Sequence, residues 1–187
     1  MILYMDYNSI MTMDYKIISL TTKDISEIFS LASKVLKEDF PEYSPKVAKI
    51  YGEKYYSKKR FRDALKYKRN HIYGVKENGK LIAIIVLKGD YGGVLYVDLL
   101  AVKKEYRGLG IGNKLLNAAE KWALKNKYHY LWLFTESNKN IGYYKSNGFL
   151  YVGHHKGSWF GADEHILSKR LADKPFPEVF TNYSKYF

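Results

Sequence analysis

Residues 106 to 112 read Tyr-Arg-Gly-Leu-Gly-Ile-Gly, with a glycine at every second place and an arginine directly ahead of the first. The chemistry open to this stretch depends on its flanks. Before it, Val94 to Val102 is a nearly continuous apolar, β-branched run, the pattern of a strand buried on both faces. After it, Leu115, Leu116, Ala118, Ala119, Trp122 and Ala123 recur at helical spacing. Gly108, Gly110 and Gly112 therefore lie at a strand-to-helix turn. The first turn of a helix holds amide donors without intrahelical acceptors, and glycines remove the side chains that would keep an anion away from them. Arg107 adds a fixed positive charge at the mouth of the loop. A phosphate or pyrophosphate fits there. The loop lacks the Lys-Ser/Thr that follows the last glycine of a P-loop, and it does not match G-x-G-x-x-G. The bland alternative is a Gly-rich turn that binds nothing.

The segment Leu100 to Gly112 resembles the acetyl-CoA loop of the GCN5-related N-acetyltransferases, whose pattern is R/Q-x-x-G-x-G/A. Arg107, Gly110 and Gly112 occupy its fixed positions, and the arginine follows Val102 at the family's spacing. A second segment, Asn140 to Phe149, is similar to the family's N/A-x-x-x-Y-x-x-x-G-F through Asn140, Tyr144, Gly148 and Phe149. By element order the likeness runs from Tyr15 to Leu171, and only these two segments match residue by residue. The resemblance implies an α/β fold with a mixed, mostly antiparallel sheet of about six to seven strands flanked by helices, in which a parallel strand pair splays apart to take acetyl-CoA. It implies that Arg107, Gly108, Leu109, Gly110, Ile111 and Gly112 hold the pyrophosphate. The backbone of Leu100 and Val102 would pair with the pantetheine arm, and an amide around Leu100 or Ala101 would polarise the thioester carbonyl. Tyr144 stands where the family places a tyrosine that protonates the leaving thiolate, a task suited to a phenol that keeps its proton at neutral pH. Asn140, with Asn138 as a second candidate, would contact the pantetheine or brace its helix, and Tyr143 completes the donor-binding set.

Acetyl transfer to an amine also needs a route for the amine's proton. Strand alternation puts Asp98 on one face with Tyr96, Leu100 and Val102, from which it could reach the acceptor directly or through water. Glu38, Asp39 and Glu42 could instead gather a cationic amine, or form a solvated loop. His154, His155 and His165 lie on expected strands where neighbours point to opposite faces, and no carboxylate pattern completes a ligand set. The expectation is no metal.

Other elements must position these groups. The 187 residues suit one well-cored domain. With 47% hydrophobic and 27% charged residues, the composition is that of a globular protein. Its 19 Tyr and 9 Phe give large side chains much of the packing. The chain has no cysteine, which excludes disulfides, thiolate metal sites and a cysteine nucleophile, and fits a cytoplasmic setting. Residues 1–13 read as an extension without the features of a signal peptide, 14–172 as the acetyltransferase domain, and 173–187 as an aromatic tail that packs on the domain or on a partner subunit. No apolar run reaches the length of a membrane span, and a monomer or homodimer is expected.

In chain order, Tyr15 to Leu20 reads as a strand. A helix with apolar positions Ile25, Ile28, Phe29, Ala32, Val35 and Leu36 should follow and stop before Pro41. Ser44-Pro45 opens a second helical segment, with a break expected at Gly52 or Ser57. His71 to Lys76 and Leu81 to Leu87 flank an Asn-Gly turn and should form a meander with the Val94 strand. Tyr130 to Thr135 should run parallel to that strand, followed by a short helix from Asn138 to Ser146. Strands from Leu150 to His155 and His165 to Arg170 close the domain.

The net charge is +12. Lys46, Lys49, Lys54, Lys58, Lys59, Arg60, Arg62, Lys66, Lys68 and Arg69 stand against only Glu53 and Asp63, with Tyr51, Tyr55, Tyr56 and Tyr67 interleaved. The plainer reading is a solvated cationic face that also attracts polyanionic CoA. Its competitor is a nucleic-acid surface on the same scaffold, which predicts affinity falling steeply with salt. A third reading, an acetyl-CoA sensor without turnover, predicts that Tyr144→Phe changes nothing. The acceptor stays open among a small-molecule amine, a polyamine and a protein amine.

Overall fold

The computed structural model of the protein describes residues 14–39, 43–67, 69–90 and 92–178. After β1 (Ile17–Ser19) comes Thr21, whose backbone N–H donates to the Asp24 carboxylate while its hydroxyl accepts from Lys23 N–H. That reciprocal cap starts α1 (Ile25–Asp39), which buries Ile28, Leu31, Ala32, Val35 and Leu36 along one face. Ser44 caps α2 (Pro45–Ile50), with proline at the first helical position. The helix then widens into a π-helical turn, Tyr51–Tyr55, and Ser57 caps α3 (Lys58–Lys66). The expected break is therefore a widened turn followed by a new start.

β2 (Asn70–Glu77), β3 (Lys80–Gly89) and β4 (Val94–Val102) form the antiparallel meander. α4 (Ile111–Lys125) crosses over to β5 (Tyr130–Thr135), which runs parallel to β4. α5 (Asn138–Ser146) leads to the hairpin of β6 (Leu150–Trp159) and β7 (Ala162–Arg170). The strand order is β1-β2-β3-β4-β5-β7-β6. β6 and β7 run further toward their connecting turn than the sequence indicated. Register irregularities between Tyr151 and Gly153 and between His155 and Trp159 absorb the residues that break the alternation.

The sheet separates two cores. Leu115, Leu116, Ala119 and Ala123 of α4 pack on one face with Leu131, Leu133, Tyr144 and Phe149, and Ile28, Leu36 and Phe61 pack on the other with Ile72, Ile84 and Val86.

Two irregularities in β4 open and line a cleft in the sheet. Its pairing with β5 comprises only Val94 with Tyr130, Leu95 with Leu131 and Tyr96 with Trp132, after which the strands part. On its other edge the register with β3 slips between Val86 and Leu87, so Asp98 is an extra residue, a β-bulge. The bulge shifts the alternation. Leu95 and Val97 join the core under α4, Leu99 and Ala101 join the opposite one, and Leu100 and Val102 pack against the first. This corrects the face expected for Asp98. It lies on the side of Tyr55 and Tyr56, away from Leu100 and Val102, because one inserted residue reverses every later side chain.

Candidate functional site

At the glycine loop, Gly108 and Gly110 have φ of 79° and 73°, and a Cβ added at either would meet nothing within 4 Å. Their backbone conformation disfavours side chains, and the space above them is open. Gly110 caps α4 without any side-chain bond, and the first intrahelical bond runs from Lys114 N–H to the Gly110 carbonyl. The amides of Ile111, Gly112 and Asn113 are thus the unmatched donors of the first turn. Gly112 has a different reason to be glycine: a Cβ there would lie 2.5 Å from the Tyr143 hydroxyl of α5. That hydroxyl is buried without a hydrogen-bond partner among the described residues, and burial pushes its pKa up to about 12. An orphaned donor beside uncapped helix amides fits the diphosphate of a coenzyme A. Arg107 donates its Nε to the Val102 carbonyl at 2.9 Å, which anchors the guanidinium at the end of β4. Leu109 packs partly buried against the core, and Ile111 is buried there.

The gap beside β4 exposes a definite set of backbone groups. Lys103 N–H donates to the Ile82 carbonyl, so by the alternation of an antiparallel ladder Leu99 and Ala101 bond toward β3, while Leu100 and Val102 face the gap. Of the two residues expected to polarise a carbonyl, Ala101 has its amide committed to β3, and Leu100 is on the open side. Asn140 donates Nδ2 to Thr135 Oγ1 at 3.0 Å, the bracing contact between α5 and β5. Asn138, in the first turn of the same helix, is exposed.

At the far end of the gap lies a cavity of about 290 Å³. Its walls include Tyr51, Tyr55 and Tyr56 of the π-helical turn and its end, Tyr96 of β4, Trp132 and Phe134 of β5, Tyr144 of α5 and Trp159 of β6. Tyr51 and Tyr55 stack at 4.8 Å, and Trp159 meets Tyr51 edge-on at 5.8 Å. The indole N–H groups of Trp132 and Trp159 are buried without an acceptor among the described residues, a cost a ligand site can carry. Tyr144 is 8% exposed, packs edge-on to Phe149 at 5.7 Å, and has its pKa raised by burial first and then by the neighbouring Tyr143 and Glu136. Its phenol therefore holds its proton throughout the neutral range.

Asp98 lines the cavity too, yet its Oδ1 is engaged. Lys88 Nζ donates to it at 2.6 Å and Tyr55 Oη at 3.1 Å, and its side chain is 2% exposed. Tyr56 Oη donates to the Asp98 carbonyl at 2.8 Å, satisfying the acceptor that the bulge turned out of the ladder. Adjacent tyrosines therefore grip the side chain and the backbone of the bulge residue.

The sequence reading missed two lining carboxylates, Glu136 and Glu164. Tyr43 Oη donates to Glu136 at 2.8 Å and Ser158 Oγ to Glu164 at 2.9 Å. Glu136 follows the last residue of β5, and ligands gather beyond strand ends of this kind. That position was the available signal. The acids expected to gather an amine are elsewhere: Glu38 is exposed on α1, while the Asp39 side chain and Glu42 lie outside the described residues. His154 and His165 are cross-strand neighbours with rings 5.7 Å apart, and among the described residues no group of three His, Asp or Glu could hold a metal ion.

Tyr51, Tyr55 and Tyr56 face the cavity, whereas Lys46, Lys49, Lys54, Lys58, Lys59, Arg62 and Lys66 are exposed. Of the interleaved tyrosines only Tyr67 stays exposed, with the Arg69 guanidinium 5.1 Å over its ring. Lys68 lies outside the described residues. Phe176 of the tail receives the Lys127 ammonium at 5.3 Å over its ring, and residues 1–13 and 179–187 lie outside the described part.

Residues 32–149 match the model of the acetyltransferase (GNAT) family. Among curated protein sequences none matches the chain. Among solved structures, the PaiA N-acetyltransferase from Thermoplasma acidophilum in complex with coenzyme A is 22% identical with a TM-score of 0.75, over 84% of this chain and 99% of that one. The ribosomal-protein-S18-alanine N-acetyltransferase from Escherichia coli is 21% identical with a TM-score of 0.64, over 85% of this chain and 95% of that one. An N-acetyltransferase from Staphylococcus aureus Mu50 is 25% identical with a TM-score of 0.65, over 83% and 97%.

Proposed function

Since the chain belongs to the acetyltransferase (GNAT) family, we propose that it moves an acetyl group from acetyl-CoA to the nitrogen of an amine by direct attack, with both substrates bound together. The observation that carries this reading is the β4–β5 gap, which runs from the glycine loop to the aromatic cavity with Tyr144 on the cavity wall. The loop amides, Arg107 and the Tyr143 hydroxyl hold the diphosphate. The Leu100 carbonyl and the Val102 N–H pair with the pantetheine arm, and the Leu100 N–H is aimed at the thioester oxygen. Asn140 keeps α5, and so Tyr144, fixed against β5.

In the reaction the amine nitrogen bonds to the carbonyl carbon and the carbon–sulfur bond breaks. Tyr144 gives its proton to the departing sulfur. Burial holds that proton on the phenol, and it raises the basicity of an equally buried thiolate in the same sense. The amine's own proton goes to Glu136, one of the three carboxylates that line the cavity with Tyr144. Asp98, with Oδ1 held by Lys88 and Tyr55, acts as a positioning residue that fixes Tyr55 in the wall. With no cysteine in the chain, a cysteine acyl-enzyme is excluded.

The test is thiol release from acetyl-CoA by the purified protein across a panel of amines, beside Tyr144→Phe. Turnover should fall about 10²-fold in the variant, with acetyl-CoA affinity unchanged by calorimetry. Equal turnover in the two proteins would overturn the assigned role of Tyr144. Thiol release from no amine, with the donor still bound, would favour the sensor.

A further inference from the structure

The cavity carries information about the acceptor that the family does not. In a chain of net charge +12, it is lined by three carboxylates, Asp98, Glu136 and Glu164, and, among the described residues, by no lysine, arginine or histidine. Two cations do stand close behind its wall. Lys88 is paired with Asp98, and the Arg60 guanidinium lies 3.5 Å over the Tyr55 ring. Glu136 and Glu164 form a further feature. β5 and β7 pair as far as Thr135 with His165, and Glu136 and Glu164, the residues flanking that last pair, both line the cavity. Carboxylates beside an aromatic wall suit a cationic ligand.

On this basis, and resting on the acetyl-transfer reading above, we propose that the acceptor is an aliphatic amine carrying a second positive charge a few carbons from the reacting nitrogen. The reacting nitrogen must be uncharged when it attacks, whereas a carboxylate beside it favours a charged ammonium. One nitrogen cannot satisfy both demands well. A diamine can: the remote ammonium lies against Glu164 and the faces of Tyr51 and Trp159, and the near nitrogen reaches the gap beside Tyr144 and Glu136. The aromatic wall between the two ends suits a methylene chain, and about 290 Å³ is the small end of ligand cavities. An α-amino acid would bring a carboxylate against three others.

The experiment compares butylamine, 1,4-diaminobutane, spermidine and alanine as acceptors for the full chain, with thiol release as the readout. The kcat/KM for 1,4-diaminobutane should exceed that for butylamine by about tenfold or more, the scale of one charged hydrogen bond. That ratio should collapse in Glu164→Gln and be partly restored in Glu164→Asp. Equal use of the two amines, or preference for alanine, would overturn the proposal while leaving acetyl transfer intact. Calorimetric titration of 1,4-diaminobutane into the wild-type protein saturated with CoA gives a readout free of turnover and of variant folding. Saturable binding that weakens with added salt supports the proposal, and no binding overturns it. Failure to release thiol with any amine, despite diamine binding, would count against the transfer reading alone.

Discussion

Tyr144 keeps its proton because its ionised form would be buried near Tyr143 and Glu136. A raised pKa leaves the acid form intact up to pH values above those at which a free tyrosine ionises, so kcat should show no falling limb from this group below about pH 10. A pH–rate profile checks this: a descending limb with an apparent pKa of about 9 that vanishes in Tyr144→Phe would contradict it. The same physics bears on stability. Tyr51, Tyr56 and Tyr96 are likewise raised by burial, so the unfolded chain releases protons above about pH 10 that the folded chain retains. Folding stability should therefore be intact below that pH and fall above it, which denaturant titrations at pH 8 and pH 11 would register. Tyr144, Arg107 and the glycines were legible because their spacing is local. Glu136 and Glu164 were not, since only the β5–β7 pairing brings residues so far apart in sequence to one cavity. Asp98 was recognised as a residue and misjudged in direction, because an inserted residue inside a continuous apolar run leaves no mark in composition.

The junction of α4 and α5 is the tightest test of how elements set up the donor site. A methyl group on Gly112 would press 2.5 Å from Tyr143 Oη, while the ring carbon bearing that oxygen is 3.4 Å away. Gly112→Ala should cost about 1–3 kcal/mol by overpacking and weaken CoA binding by calorimetry. Tyr143→Phe added to it should recover the stability, because the clashing oxygen is gone, without restoring the affinity if that hydroxyl contacts the donor. If the double variant is no more stable than Gly112→Ala, the contact is not what limits packing. α5 itself ends as the sequence foretold: Gly148 at φ 82° stops the helix and Phe149 turns into the core beside Tyr144. The helices, the meander and the parallel crossover were all readable from periodicity and turn residues. The π-helical turn was not. Its tyrosines stand among lysines in the sequence, and only the widened turn directs Tyr51, Tyr55 and Tyr56 inward together.

Across the whole molecule, charge and cavity have opposite signs: a chain of net charge +12 surrounds a cavity lined by carboxylates. The exterior should draw in the polyanionic donor at long range, so raising NaCl from about 50 to 500 mM should raise the KM for acetyl-CoA with little change in kcat. A KM indifferent to salt would confine donor recognition to the loop. Because Tyr51, Tyr55 and Tyr56 turn inward, only Tyr67 of the basic segment's four tyrosines presents an exposed ring, a small stacking surface for single-stranded nucleic acid. The three rungs between β4 and β5 have a mechanical consequence. Among the described residues they are the sole strand-to-strand seam between two half-sheets: β1 to β4, which end in the glycine loop, and β5, β7 and β6, on which α5 and Tyr144 ride. The protein is built like a clothes-peg, with the glycine loop on one jaw and Tyr144 on the other. Changes at Leu95 or Leu131, buried in that seam, would alter the angle at which the jaws meet.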